Sequence, residues 1–523
     1  MTEKNMNHID KSRFQFVNQG ERITDTKFDD KPVGYFKDAG IRFRKSRASV
    51  YATIIIVLIV LYSLLAPVLI TSHSSTFMVN TYAKKPGRVT WLRNIGICDG
   101  GVNRDFSEKG LIKAVAMGMA AEDWDGTGVT VQEGLDSVYQ PMLKIGEGKT
   151  TVGAGKKKST VYHARIDNYL EVGFINKSIP QQEFNKIRAW EEETGLKVLY
   201  PLVEENEFNM DPSDANYWYK SKKGNPIETT ANGKIKMIKY GPDMVLEDNY
   251  KRDENGDVKY FEYTGGGSLE TAQYKVRVLY YNYYRYLYGS EPNYIMGTDS
   301  QGYDLALRIA GGIKLSLMVS IFVFIINFIL GSIYGAIEGY YGGTADILME
   351  RVSDILNGVP FIVVATLFQI HLSAKLGAVP CLLFAYVVTG WISTAYRVRS
   401  QFYRFKTQEY VMAARTLGAR DSRIIWKHIF PNSLGTIITS AALSIPSTIM
   451  SESMLSFLGI VKLGTAESTS LGTLLSDASS IWTNYPHLML YPALFISLLM
   501  ICFNLFGNGL RDAFNPALRG VEE

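Results

Sequence analysis

Long uncharged runs alternate with polar blocks along this chain, and several runs are long enough to cross a bilayer. A hydrocarbon core of about 30 Å needs about 20 apolar residues in helical form. Val50–Ile70, Leu315–Ile337, Ile355–Ala374, Leu376–Tyr396 and Leu488–Leu510 meet that length. Ser433–Val461 is a further run, interrupted by a single charge, Glu452. Pro360, Pro380 and Pro446 fall in or beside these runs, which a bundle tolerates because neighbouring helices satisfy the freed backbone groups. The pattern therefore predicts six spans, one near the N-terminus and five in the second half. The first is too long for a signal-peptide core and follows a polar tail, so it is expected to be retained.

Between the first and second spans lies a polar block, 72–294, long enough for its own core. Ser178-x-x-Gln181 has the form of a capping box ahead of Phe184, Ile187 and Trp190 at helical spacing, with Gly195 as a stop. Leu196–Val203 and Lys234–Tyr240 read as strands, and Val245–Tyr263, with Asn255-Gly256 inside it, reads as a hairpin. Ala272–Tyr288 is expected to be a tyrosine-rich helix, its rings forming a core face or an interfacial belt. The fold class is thus an all-α polytopic membrane core with an inserted α+β domain.

Lysine and arginine bias orients the spans. Arg42, Arg44, Lys45 and Arg47 precede the first span. Arg397, Arg399, Arg404, Lys406, Arg415, Arg420, Arg423 and Lys427 lie between the fourth and fifth, and Arg511 and Arg519 follow the last. All three groups fall on one side in a six-span arrangement, which is therefore cytoplasmic; both termini lie there and 72–294 lies outside. One loop runs against the bias: Glu338, Asp346, Glu350 and Asp354 stand against Arg351 alone. The net charge of +4 is accounted for at membrane edges and implies no nucleic-acid partner. Cys98, Cys381 and Cys502 are too far apart to suggest a disulfide framework or metal cluster.

The most distinctive stretch is Glu409–Asn432, between two apolar runs. It carries Ala413 and Ala414, then Gly418 four residues on, and Pro431 at its close. It reads as two short helices broken at Gly418, with a small-residue face that admits another backbone. This segment resembles the ATPase-coupling loop of ABC-importer permeases, whose pattern is Glu-Ala-Ala, three residues, Gly, nine residues, Ile-x-Leu-Pro. Ala413, Ala414, Gly418 and Pro431 match; Met412 replaces the glutamate, for which Glu409 stands in, while His428 and Phe430 occupy the Ile and Leu positions. His428 reads either as a switch or as a capping residue.

The second half resembles the dipeptide and oligopeptide branch throughout, and specifically the second of its two permeases. Gly297-Thr298-Asp299-x-x-Gly302-x-Asp304 looks like the motif before the second span, with Tyr303 where arginine is usual. Gly339-Tyr340-Tyr341-Gly342-Gly343, Glu452-x-x-Leu455-Ser456-Phe457-Leu458-Gly459, Ser470-Leu471-Gly472-x-x-Leu475 and the tail Leu510-Arg511-Asp512-Ala513 look like further family motifs. The resemblance implies a cytoplasmic tail (1–48), a first span (49–71), the inserted domain (72–294), a permease core (295–510) with its coupling loop at 397–431, and a second tail (511–523). It also implies partners: a second, non-identical permease, two cytoplasmic ATPases, an extracytoplasmic substrate-binding protein, a peptide substrate and membrane lipid. ATP and Mg would be bound by the ATPases and no cofactor by this chain. The same motifs serve nickel and other small solutes, so those cargoes stay open. A membrane-anchored receptor without transport is the competing class, and it leaves the coupling segment unexplained.

Other motifs weaken on inspection. Gly146-x-Gly148-Lys149-Thr150 lacks the phosphate-loop glycine, its place being taken by Leu143. Gly153-x-Gly155-Lys156 lacks the following Ser or Thr. Both are expected in a flexible basic loop. Asp253-x-Asn255-Gly256-Asp257 has Thr264 where a calcium loop needs glutamate, and reads as a turn. No nucleophile–histidine–acid set can be assembled, so the chain reads as a transport subunit and not an enzyme. Glu452 has two readings, a pathway residue for a peptide amino terminus or a hydrogen-bonded link between helices. A charge within a span costs roughly 2.5–3.5 kcal/mol on insertion scales, so it must face protein or a wet cavity.

Overall fold

The computed structural model describes residues 35–514 apart from 71–72, 75, 94, 108–116, 119, 123–134, 153–157, 204–220, 223–224, 230–234, 238–249, 266–271 and 465–468. The polar start of the N-terminal tail, Gly153-x-Gly155-Lys156 and the early part of the expected hairpin lie outside the described residues.

Among the described residues, five helices are long and apolar enough to span a membrane: Arg47–Leu69, Leu305–Tyr341, Ala378–Phe405, Asp421–Phe457 and Pro486–Phe514. The run expected as the third span is instead a bent pair, Gly343–Asn357 and Phe361–Leu376, meeting at 68°. The break falls at Gly358 to Pro360. Proline has no N–H to continue the first helix and starts the second readily. Counted as one broken span, the pair brings the total to six.

The second span is held tightly to the fourth by a row of glycines one turn apart. A Cβ on Gly335 would stand 2.2 Å from the Ala395 carbonyl oxygen. One on Gly331 would meet the Trp391 oxygen at 2.7 Å, and one on Gly339 the Arg399 oxygen at 2.9 Å. Side chains at these positions would force the two backbones apart, and with lipid equally apolar on the outside, close packing is what joins the helices. The last span packs beside the first through Gly509, where a Cβ would lie 2.0 Å from Ser49 Oγ.

The inserted block is built on antiparallel sheets. Gly101–Ser107, Lys158–Asp167 and Met142–Val152 form one, with Lys158–Asp167 in the middle. In a second, Gln273–Leu279 pairs with Phe174–Pro180, Leu199–Tyr200 and Phe261–Gly265. A small third sheet joins Ser221–Lys222, Asn225–Thr229 and Ile235–Met237. The block is therefore α+β, with several departures from the sequence pattern. Ala272–Tyr288 is not one helix: Gln273–Leu279 is a strand and only Tyr280–Tyr288 is helical. Tyr274, Val276 and Val278 alternate with Lys275 and Arg277, a period of two that the tyrosine run beyond it obscures. Ser178 caps nothing, because it lies on a strand opposite Lys275 and Pro180 occupies the N-cap of Gln181–Thr194. Gly195 does end that helix, at φ +72°. Of Leu196–Val203 only Leu199–Tyr200 is a regular strand.

The phosphate-loop-like Gly146 to Thr150 is strand, not loop. It lies in Met142–Val152 at a register shift, with Gly146 against the His163 carbonyl. At the calcium-like stretch, Asp253 Oδ1 accepts from the backbone N–H groups of Asn255 and Asp257, both at 2.9 Å, which makes a turn. Tyr280, Tyr281, Tyr283 and Tyr284 are buried and join the core, which settles the tyrosine helix as a core face. Arg88, wholly buried, ties the block's ends together. It donates to Asp167 (3.4 Å), the Pro292 carbonyl (3.1 Å) and Tyr281 Oη (2.9 Å). Burial alone would push the Asp99 carboxyl up, but donors on Arg165 and the Gly101 N–H hold it below the usual carboxylate range.

Candidate functional site

Two features of the membrane core lie at the end bearing Glu409–Asn432, and a third lies within the spans toward the opposite end. The first is the segment itself. Glu409–Thr416 is helical and ends at Gly418, whose φ is +78°. The Gly418 N–H bonds the Arg415 carbonyl at 3.0 Å and the Ala419 N–H bonds the Ala414 carbonyl at 3.0 Å. These two bonds satisfy carbonyls that a helix end leaves open, in the Schellman arrangement that favours glycine at the left-handed position. The helical path resumes at Asp421 and runs to Phe457. Pro431 thus does not close the segment. The helix widens to a π turn over Ile424–Ile429 just before the proline, which sits in the first turn of the following α-helical stretch. The missing proline N–H is accommodated by this local change of hydrogen bonding. Residues 397–405 and 421–431 of the expected coupling loop are helical continuations of spans, which leaves 406–420 between them.

This segment has two faces. Val411, Ile424, Ile425 and Ile429 are buried against Tyr340, Val398 and Phe402. Tyr340 fixes both sides of the Gly418 turn. Its hydroxyl donates to Asp421 Oδ1 (2.6 Å) and accepts from Arg415 Nη2 (3.3 Å). Glu409, Met412 and Ala413 are exposed, Ala414 is half-buried, and Leu417 is 88% exposed at the tip. Glu409 and Met412 are three residues apart on one helix, so they are surface neighbours. Pro431 is exposed and His428 half-buried. The His428 carbonyl accepts from Asn432 Nδ2 at 2.7 Å. An apolar tip on a rigidly anchored support is suited to insertion into a partner's groove.

The second feature was not read from the sequence. Arg399, on the fourth span, forks to Asp346 (2.6 and 2.9 Å) and to Glu350 (2.8 and 3.1 Å), with Glu338 at 3.5 Å. Tyr403 bonds Asp346, Tyr396 bonds Asp354 at 2.8 Å, and Lys406 bonds the Gly339 carbonyl at 2.9 Å. The acidic loop that ran against the charge bias is therefore matched by a cation on the fourth span. The imbalance itself was the signal: four carboxylates beside one arginine need a partner from elsewhere.

Third, Glu452 is wholly buried within Asp421–Phe457. Its carboxylate accepts from Ser316 Oγ at 2.8 Å and Ser456 Oγ at 3.1 Å. Ser456 lies 3.5 Å from Ser470, which caps Leu471–Ala478. The carboxylate thus joins the fifth span to the second and, through hydroxyls, to the short helix beyond it.

Two family models match this chain. One, described as the binding-protein-dependent transport system inner membrane component, covers residues 328–520. The other, the N-terminal TM domain of oligopeptide transport permease C, covers 34–86. Residues 87–327, which hold most of the inserted block, fall between them. The oligopeptide transport system permease protein OppC of Bacillus subtilis is 40% identical over 224 residues, 43% of this chain and 72% of that protein. The dipeptide transport system permease protein DppC of the same organism is 40% identical over 225 residues, 43% of this chain and 68% of its own length. Escherichia coli K12 OppC is 43% identical over 228 residues, 43% of this chain and 73% of that protein.

Proposed function

Because this chain belongs to the family of oligopeptide and dipeptide ABC-transporter permeases, we propose that it is the peptide-conducting half of an importer whose other half is a second, non-identical permease. Two ATPases dock on the coupling segments of the two permeases, Glu409–Asn432 being this chain's, and a substrate-binding protein delivers peptide at the opposite face. The single observation that carries this reading is the exposed, apolar-tipped segment around Leu417, braced from behind by Val411, Ile424 and Ile429. ATP and Mg belong to the ATPases. In this arrangement 397–431 is the cytoplasmic coupling region, both termini are cytoplasmic and 72–294 faces outward.

The mechanism follows from continuity. Asp421–Phe457 is one helical path from the docking surface into the fifth span. Closure of the ATPases on nucleotide pulls that path, and the Glu452 bonds to Ser316 carry the pull to the second span. The glycine-packed second and fourth spans then move as a unit, by rigid-body rocking between two access states. The relatives compared are named for peptides, which favours peptide over nickel as cargo. The test is the composition of the detergent-solubilised complex pulled down through this chain. It should contain a second permease and ATPase subunits, and a Leu417→Asp variant should retain the permease while losing ATPase from this chain's side. A chain that purifies alone would favour a receptor instead.

A further inference from the structure

The segment Thr90–Cys98 carries Trp91, Ile95 and Ile97, exposed at 74%, 68% and 57%. Single exposed apolar residues are ordinary on protein surfaces, but three in one short segment are a patch. Its polar groups turn the other way. Thr90 Oγ1 donates to Asn293 at 2.7 Å and Glu291 at 2.9 Å, and Arg93 reaches back to Asp167 at 3.5 Å. The segment is therefore two-sided, polar into the inserted block and apolar outward.

Its position says what the apolar side meets. Lys84 lies over the Tyr485 ring at 5.8 Å, immediately before the last span begins at Pro486. The Val89 N–H bonds the Cys98 carbonyl at 2.7 Å, closing the segment into a loop. Leu490 and Leu494 of the last span are exposed apolar residues. Thus the loop sits level with the start of a membrane-crossing helix, where tryptophan is favoured because its ring is apolar and its N–H is wet. A water-facing domain base needs no tryptophan and two isoleucines at that level.

We propose that Thr90–Cys98 is a lipid-facing ledge, by which the inserted block rests its Trp91, Ile95 and Ile97 side chains in the headgroup–acyl boundary beside the last span. The ledge fixes the tilt of the block on the bilayer. Its occupant is lipid, and the claim stands independently of the transported solute.

The full chain, with its copurifying partners, is reconstituted into phosphatidylcholine–phosphatidylglycerol vesicles. These carry a lipid quencher placed near the headgroup end of the acyl chain or, separately, near the bilayer centre. The Trp91 signal is the emission of the wild type minus that of Trp91→Phe, a change at an exposed ring that leaves the fold undisturbed. The expected result is loss of most of that signal to the shallow quencher and little to the deep one. In an Ile95→Asn, Ile97→Asn double variant the shallow quenching weakens. Quenching by aqueous iodide without shallow-lipid quenching would overturn the proposal by placing Trp91 in water. Protection from both would overturn it by placing the ring against another subunit.

Discussion

Gly418 holds a φ of +78° with no atom within 4 Å of where a Cβ would stand. Its requirement inside this chain is conformational and not steric, so substitutions at this position separate the two. A β-branched residue in the left-handed region costs about 1–2 kcal/mol, whereas asparagine adopts that region more readily. Gly418→Val should therefore lower ATPase recovery in the purified complex and Gly418→Asn should lower it less; equal loss would mean that the partner's surface, not the backbone, needs the glycine. Arg399 makes a second residue-scale case. It faces Asp346, Glu350 and Glu338 with little exposure. Removing one partner of such a set typically costs about 3–5 kcal/mol, because the charges left behind are uncompensated. Arg399→Ala should lower the melting temperature of the detergent-solubilised protein markedly. Arg399→Lys, with charge but no planar fork, should fall between. Gly418 was legible from its spacing to Ala413 and Ala414. Arg399 was hidden among eight basic residues of one loop, because sequence does not say which of them turns back toward Asp346.

Among elements, the second and fourth spans depend on the glycine row. Gly335→Leu would drive a side chain into the Ala395 carbonyl, while Gly311, on the same helix, has open space at its Cβ position. Gly335→Leu should abolish recovery of folded protein by size-exclusion chromatography and Gly311→Leu should not; matching profiles would show that the two helices are not held by backbone approach. The spans were readable because a bilayer demands about 20 apolar residues, and that demand dominates local propensity. Their breaks were less so. Pro360 read only as a tolerated proline in a continuous span, which the 68° break overturns, and Pro431 looked like a terminator until the π turn over Ile424–Ile429 showed how the helix continues. In the inserted block the tyrosines of 280–288 masked the strand period of Gln273–Leu279, since aromatic residues fit both a helix face and a sheet face.

At the scale of the molecule, the five long helices and the bent pair make a core that neither needs nor explains the inserted block. The block is anchored at its own base, where Arg88 reaches Asp167, Tyr281 and Pro292. His73 also bonds Asp304, the residue that caps the second span, at 3.2 Å. Replacing 72–294 with a short Gly/Ser linker should leave the ATPases bound but weaken peptide delivery, so that uptake falls at limiting binding protein and partly recovers when that protein is in excess. Unchanged uptake at limiting binding protein would remove the delivery role, and loss of the second permease from the complex would make the block a clamp instead. The sequence pattern set this block apart from the spans but said little of its interior, because its sheets join strands far apart in the chain, such as Phe174–Pro180 with Gln273–Leu279. The central claim, that the chain conducts peptides under ATP control, is tested most directly by uptake of a labelled short peptide into vesicles containing the complex pulled down through this chain. Uptake should require ATP on the side of Glu409–Asn432 and binding protein on the other, and should disappear with Leu417→Asp. A fully assembled complex that moves no peptide under those conditions, or moves nickel in its place, would contradict the account.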